Sequence, residues 1–414
     1  MTAAGSPLRP VGWAGAGAGA RLSDYAVGRD NNFNLIRLLA ALGVIFSHSV
    51  AALGLPMERE FFGPRVGFSL GGMAVDVFFV TSGFLVTASL VGRRDIVAFL
   101  WARALRIYPA LWVMLLLTIF VLGPAVTAWP AGDYFSAAQT WSYLGKCATL
   151  IGGVRYALPG VFDQLPLKGE VNGSLWTLPI EARLYLWLAA AWLVLAVVSP
   201  VRMKALRLLA PIAVAVFAFL IVKGQLETGN ANGREIRQFM FIYGAALYLW
   251  RDRVPMSPVA LVALPAILVL ASINQTVFFL AYAAFLAPLV MHLAYLPGGR
   301  VRRFNGWGDF SYGVYIYAFP IQQTIVLLMP GLSLAAMVAL SCVVTLAVAV
   351  LSWNLVEKPA LARKESFAAA SSLAFRQGLR KVGAWVKTRR LDGTGRGVGA
   401  GFAEKRDGFP DRLP

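Results

Sequence analysis

Acidic side chains, histidine and cysteine are all scarce in this 414-residue sequence, and each scarcity narrows what the chain can be. Charged residues make up 14% of it against 58% hydrophobic, with a mean hydropathy of +0.66, which excludes a soluble domain and indicates a polytopic membrane protein. The two cysteines, Cys147 and Cys342, offer no disulfide framework, since Cys342 lies inside an apolar run, and neither hints at a metal site. Twenty acidic residues against 38 basic ones leave a net charge of +18. That excess could suggest nucleic acid, but most Lys and Arg fall in short stretches between apolar runs and in the C-terminal tail, as membrane topology requires, so no nucleic-acid partner is expected. The first 32 residues are Gly and Ala with scattered charge and no continuous apolar core, so no cleavable signal peptide is expected there.

What the chain has in abundance is long hydrophobic runs. Ten of them, at about 33–55, 69–92, 107–127, 174–198, 205–222, 236–250, 259–272, 276–294, 310–329 and 333–355, predict an all-α membrane bundle of about ten transmembrane helices. The runs at 236 and 259 are short, so a tilted or partly interfacial helix is an alternative at either. With a cytoplasmic N-terminus the inner arm and loops hold fifteen Lys and Arg and the outer loops eight, while thirteen more follow Glu357 in a tail that ten spans return to the cytoplasm. Both ends are therefore expected inside, in a multi-pass protein of the plasma membrane. Residues 1–32 read as a flexible arm, 33–359 as the transmembrane domain and 360–414 as a basic tail. In that tail 366–390 suits an amphipathic helix on anionic lipid and 391–414 reads as disordered. The long outer segment, about 128–173, is too polar to span, and Tyr134 to Leu150 within it suits a helix lying on the membrane surface.

Against this apolar background the few intramembrane ionisable residues stand out. Each costs roughly 2.5 to 3.5 kcal/mol on insertion scales and asks for a partner or a function. Arg37 and His48 share the first run; eleven residues at 100° leave a remainder of about 20°, so both lie on one helix face, about 16 Å apart. Counted from the run boundaries, His48, Asp76 in the second run and Glu181 in the fourth all sit about 10 Å below the outer boundary. A carboxylate from Asp76 or Glu181 beside the His48 imidazole would raise its basicity and fix its tautomer, as a general base acting on a hydroxyl requires; a buried ion pair that merely locks helices is the alternative for either acid. Arg183 lies about 200° around the helix from Glu181 and either neutralises Asp76 or lines a separate cavity. The second histidine, His292, reads as a packing or boundary residue. Arg103 and Arg106, spaced i,i+3 before the third run, join Arg37 near the cytoplasmic boundary in a cluster suited to phosphate. Buried Arg, His, Asp and Glu in a ten-helix bundle equally describe a proton-coupled transporter or an exporter of lipid-linked sugar, although the chain shows no internal duplication.

The motifs carrying these residues resemble the acyltransferase 3 family of integral-membrane O-acyltransferases. The likeness runs through FNLIRLLAALGVIFSH with Arg37 and His48, GGMAVDVFFVTSGFL around Asp76, RALR from Arg103 to Arg106, SLWTLPIE ending at Glu181, SYGVYIYAFPI, and EKP from Glu357 to Pro359. The resemblance implies transfer of an acyl group, usually acetyl from cytoplasmic acetyl-CoA, to a hydroxyl of a cell-surface polysaccharide or its glycolipid precursor. It places the family's essential arginine and histidine at Arg37 and His48 and its arginine pair at Arg103 and Arg106. Acyl-CoA is then a donor substrate, with no permanently bound cofactor and no metal. The thioester would approach His48 for direct transfer or for an acyl-histidine intermediate. Two positions depart from the pattern: Ala318 stands where many relatives carry histidine, and Ala182 where many carry a second acid. No appended hydrolase-like domain is expected, so acceptor transfer would be completed by the membrane domain or by a separate protein. Oligomeric state is not legible.

Overall fold

The computed structural model describes residues 19–373, except Arg94, Ser199, Pro200 and Asn230. Among the described residues the structure is all helical, with isolated bridges in place of strands. Among the described residues a helix falls on each of the ten hydrophobic runs: α1 (Phe33–Ala52), α2 (Leu70–Arg93), α3 (Ile96–Leu117), α4 (Leu178–Val198), α5 (Arg202–Thr228), α6 (Gly233–Leu249), α7 (Ala260–Ala271), α8 (Gln275–Tyr295), α9 (Ser311–Leu328) and α10 (Leu334–Ser352).

Seven of them are long and apolar enough to cross a membrane, among the described residues: α1, α2, α3 with its extension to Val126, α4 with the preceding turn, α5, α8 and α10. The protein is thus a multi-pass membrane protein. The other three runs are helical but differ from the expected spans for separate reasons. At 17 and 12 residues, α6 and α7 are short for a 30 Å hydrocarbon core. α9 has 18 residues, but Tyr312, Tyr315, Tyr317, Gln322 and Gln323 lower its hydropathy, and all five are buried against protein instead of facing lipid.

Helix ends follow local chemistry. The Asp95 carboxylate accepts from the amides of Val97 and Ala98 at 2.9 and 3.2 Å, so α3 begins at Ile96, eleven residues before the expected run. The core contact is between α2 and α6, where a Cβ on Gly83 would overlap the carbonyl oxygen of Phe241 and one on Gly244 would overlap that of Val80. Glycine at both positions lets the two backbones touch, the usual solution where helices associate without a hydrophobic driving force.

One expectation from the sequence needs correction. Within the stretch read as a flexible arm, residues 20–32 are docked: Leu22 is fully buried, its amide donates to Val254 O at 2.9 Å, and the Asn32 side chain donates to Leu293 O and Pro297 O. Residues 1–18 lie outside the described residues, as does all but the start of the expected tail helix over 366–390.

The segment between α3 and α4 packs on the bundle. Its helix Ala138–Thr149 has the expected amphipathic pattern, burying Thr140, Tyr143 and Cys147, and it packs on α3. Trp141 meets Phe120 just past the end of α3, Trp112 donates to Ala148 O at 3.1 Å and Tyr108 donates to Thr149 O at 3.3 Å. Residues 167–177 then descend beside α9. Gln323 donates to Leu167 O and Glu170 O, Asn172 to Ile316 O, and Tyr315 to Ser174 O at 2.9 Å. Backbone carbonyls this deep need such partners, which is why α9 carries amides and phenols where a lipid-facing helix would carry aliphatics.

Candidate functional site

Arg37, Arg103 and Arg106 converge, as their spacing predicted. The first comes from α1 and the others from one face of α3, and all three line a cavity of about 250 Å³. It lies inside the bundle and not at its rim: α2 continues eleven residues past the cavity-lining Ser82, about 16 Å, and Arg103 is seven residues into α3. A smaller chamber of about 30 Å³, room for about one water, shares Arg37, Ser82, Glu181 and Tyr312 with it and extends inward to Thr177 and Tyr315.

The guanidiniums are not free point charges. Asp309 bridges Arg106 at 2.5 Å and Arg37 at 3.4 Å, and Glu357 reaches Arg106 at 3.4 Å while accepting from Ser352 at 3.1 Å. Asp309 sits in the loop before α9; burial alone would raise its carboxyl, but the Arg106 and Arg37 guanidiniums and bonds from Ser311 override that and hold it below the usual carboxylate range. Glu357 is brought to the cavity by a π-turn, Trp353–Glu357, which interrupts the helix after α10. Gly308 packs where any Cβ would strike the Trp353 ring, and its φ of +135° is one that L side chains rarely adopt. Among the described residues Arg103 has no carboxylate within ion-pair distance; its guanidinium lies 5.8 Å from the Tyr185 ring, and its Nε, like that of Arg37, is buried without a hydrogen-bond partner.

Glu181 belongs to this cavity. Its carboxylate accepts from Ser82 at 3.0 Å and from Tyr185, and Ser82 and Tyr185 lie 3.0 Å apart. The expected depth match with His48 fails, because residue 174 is not at the outer boundary of the bundle. Residues 167–177 have already descended beside α9, so Glu181 enters one turn lower, level with Tyr312.

Asp76 is not beside His48 either. Fully buried, it pairs with Arg237 Nε at 3.2 Å and accepts from Tyr282 at 2.7 Å, which ties α2 to α6 and α8. Arg237 in turn donates to Gly72 O and Gly233 O and lies over the Trp176 ring. The candidate role of Asp76 in orienting the imidazole is therefore replaced by a structural ion pair, with Arg237 and not Arg183 as its cation. Arg183 lines a separate cleft, the other of its two expected placements.

Arg37 and His48 do share the α1 face that meets α9. Arg37 reaches Asp309 before that helix, and His48 packs edge-on against Phe319 with ring centroids 5.0 Å apart. Between them Leu38, Ala41 and Ile45 pack on Val314 and Ala318, so the alanine at 318 is a buried helix contact here. Among the described residues Nδ1 of His48 is buried without a hydrogen-bond partner, and His48 is not in the lining of either chamber. The inner chamber ends at the Thr177 and Tyr315 hydroxyls, which bond at 2.7 Å. His292 is bonded to Pro288 O at 2.8 Å and accepts from Ser257 N at 3.4 Å, a packing role.

Asp309, Glu357, Tyr185 and Arg237 were not singled out as site residues from the sequence. A signal existed for two of them: Asp309 is the one acid among the arginines of residues 296–310, and Glu357 is the only acid between Asp309 and Glu365.

Comparison with known proteins identifies the family. The acyltransferase 3 model, described as an acyltransferase domain, matches residues 30–354. The O-acetyl transferase of Shigella phage Sf6 is 29% identical over 348 residues, covering 81% of this chain and 97% of that protein. Nodulation protein 10 of Rhizobium leguminosarum bv. viciae is 31% identical over 173 residues, 40% of this chain and 45% of its own length. No solved structure matches significantly. A family match over residues 30–354, from α1 through α10, makes this chain a member of the acyltransferase 3 family.

Proposed function

We propose that the protein is a plasma-membrane O-acetyltransferase that takes an acyl group from acyl-CoA on the cytoplasmic side and passes it to a hydroxyl of a cell-surface polysaccharide or its lipid-linked precursor. One observation carries the donor side of this reading: three guanidiniums from two helices line a common cavity that also contains a carboxylate bonded to a serine and a tyrosine. The likeness to a protein named as an O-acetyl transferase, over nearly its whole length, supports the acetyl group.

In this reading the cytoplasmic end of the bundle is the one where residues 29–32 and the 299–306 turn meet. The anionic donor competes with Asp309 and Glu357 for Arg37 and Arg106, so its binding frees carboxylates that otherwise hold the site closed on itself. A cavity of about 250 Å³ is below the usual range for drug-sized ligands and suits part of the donor, with the nucleotide left toward the open end. The chemistry is a single exchange: the acceptor oxygen forms a bond to the thioester carbonyl carbon, the carbon–sulfur bond breaks, the hydroxyl proton passes to a protein base, and CoA leaves as the thiol. Glu181 is the base within reach of the donor cavity. His48 is the base farther along α1, beyond the Thr177–Tyr315 bond, which must open for an acyl group to reach it. General-base catalysis of this kind is worth roughly 10² to 10⁴ in rate.

The test uses purified full-length protein with labelled acetyl-CoA and membrane extracts as acceptor. Acceptor-dependent release of CoA with label in the glycan supports the reading, and His48→Ala should abolish transfer while the protein remains folded. Label that never leaves acetyl-CoA overturns it. Trapping of an acyl-enzyme without acceptor would select the acyl-histidine route over direct transfer.

A further inference from the structure

Beyond the donor cavity, the outer segment and the start of α6 enclose a second space that the mechanism above does not use. A cleft of about 450 Å³ is lined by Tyr156, Trp176, Ile180, Arg183, Asn232 and Arg234, among others. A neighbouring one of about 600 Å³ shares Val154 and Tyr156 with it and adds Gln139, Ser142 and Arg155. Three features set this space apart from an incidental surface fold.

The first is charge. Arg155, Arg183 and Arg234 line it, no acidic side chain does, and none of the three guanidiniums is in an ion pair among the described residues. That contrasts with the donor cavity, where Arg37 and Arg106 are held by Asp309 and Glu357. Arg155 and Arg234 lie on segments read as outer, against the positive-inside tendency, and Arg183 lies in the first turns of α4 with only its Nε held, by Pro179 O at 3.0 Å, so these cations need another reason to be there. The second is the lining itself. Tyr156 is 39% exposed and Trp176 half-buried, and Trp176 is braced by the Arg237 guanidinium 5.4 Å from its ring. Aromatic rings of this kind, with amides and hydroxyls between them, match a sugar, which offers apolar C–H faces and polar edges. The third is position. The 3-10 turn Gly173–Thr177 and the first turn of α4 form a wall common to both sites: Thr177, Leu178 and Glu181 face the donor chambers, while Trp176, Pro179, Ile180 and Arg183 face the cleft.

We infer that this cleft is the acceptor subsite, and that it takes an anionic saccharide, with the negative group at Arg183 and Arg234 and a sugar ring against Tyr156 and Trp176. This rests on the acyltransferase reading for the word acceptor, but the binding itself does not. The anionic group has two possible sources, the diphosphate of a lipid-linked sugar or a carboxylate of the glycan, and the test separates them.

Full-length protein in lipid nanodiscs is titrated with three probes: undecaprenyl-diphosphate N-acetylglucosamine, a glucuronate-containing tetrasaccharide, and neutral maltotetraose. At least one anionic probe should bind ten times more tightly than maltotetraose. The Arg183→Gln/Arg234→Gln double variant should raise its Kd at least tenfold, and Tyr156→Ala, at an exposed position that leaves the bundle intact, several-fold. Binding of the first probe alone assigns the diphosphate, and of the second alone the carboxylate. Equal binding of maltotetraose, an unchanged Kd in the double variant, or no binding of either anionic probe overturns the inference. CoA is titrated in parallel: an unaltered CoA affinity with no saccharide binding removes the cleft alone, and saccharide binding without any CoA binding removes the donor reading alone.

Discussion

Asp76 and Glu181 are both carboxylates on long apolar helices, and counting along the sequence put them at one depth with interchangeable roles. The folded protein separates them. Asp76 has no exposure, and its one cation, Arg237, is itself tied to two backbone carbonyls. Glu181 lines both chambers that Arg37 lines, and its partners are hydroxyls that can exchange protons. The difference teaches that of two carboxylates counted to one depth, the one with access to a cavity is the candidate for chemistry and the one locked to a cation is structural.

Four perturbations test that distinction, from the largest expected effect downward. Asp76→Asn should unfold or trap the protein, since stranding the buried Arg237 charge costs about 3–5 kcal/mol, whereas Asp76→Leu combined with Arg237→Met should recover folded material in detergent. Fluorescence-detected size exclusion distinguishes these outcomes; a well-folded but inactive Asp76→Asn protein would make Asp76 catalytic after all. Glu181→Gln should do the opposite, keeping the thermal midpoint within a few degrees while lowering kcat by roughly 10² to 10⁴. Gly244→Leu, which forces a side chain into the Val80 carbonyl, should lower stability by at least the 1–3 kcal/mol typical of overpacking without removing any site residue.

The smallest effect concerns pH. Asp309 is held below its ordinary pKa, so its contribution to stability is complete above the unfolded-state value and is lost as pH falls through the lowered folded value. Melting temperatures should fall on the acid side of the carboxylate range, and Asp309→Asn should flatten that limb. An identical acid limb in the variant would show that the Arg37–Asp309–Arg106 bridge contributes nothing measurable.

Much of this arrangement could be read from the sequence. The ten helices follow from hydrophobic runs, and the shared face of Arg37 and His48 follows from helical periodicity, as does the pairing of Arg103 with Arg106 on α3. What could not be read is where irregular backbone enters the bundle. The path of residues 138–177 along α3 and α9 shifts Glu181 toward the arginines and away from His48, and no periodicity in those residues records it. The π-turn that aims Glu357 at Arg106 is equally silent, because a five-residue change in helical pitch leaves the apolar pattern intact.

The central claim is that the arginine cavity receives the anionic donor, and equilibrium binding of CoA to purified protein addresses it most directly. The account predicts saturable binding that weakens at least tenfold in Arg103→Gln, the guanidinium without a carboxylate partner, and that weakens further as salt is raised. CoA binding of equal strength in wild type and Arg103→Gln, or no binding to the wild-type protein at any salt concentration, would contradict it.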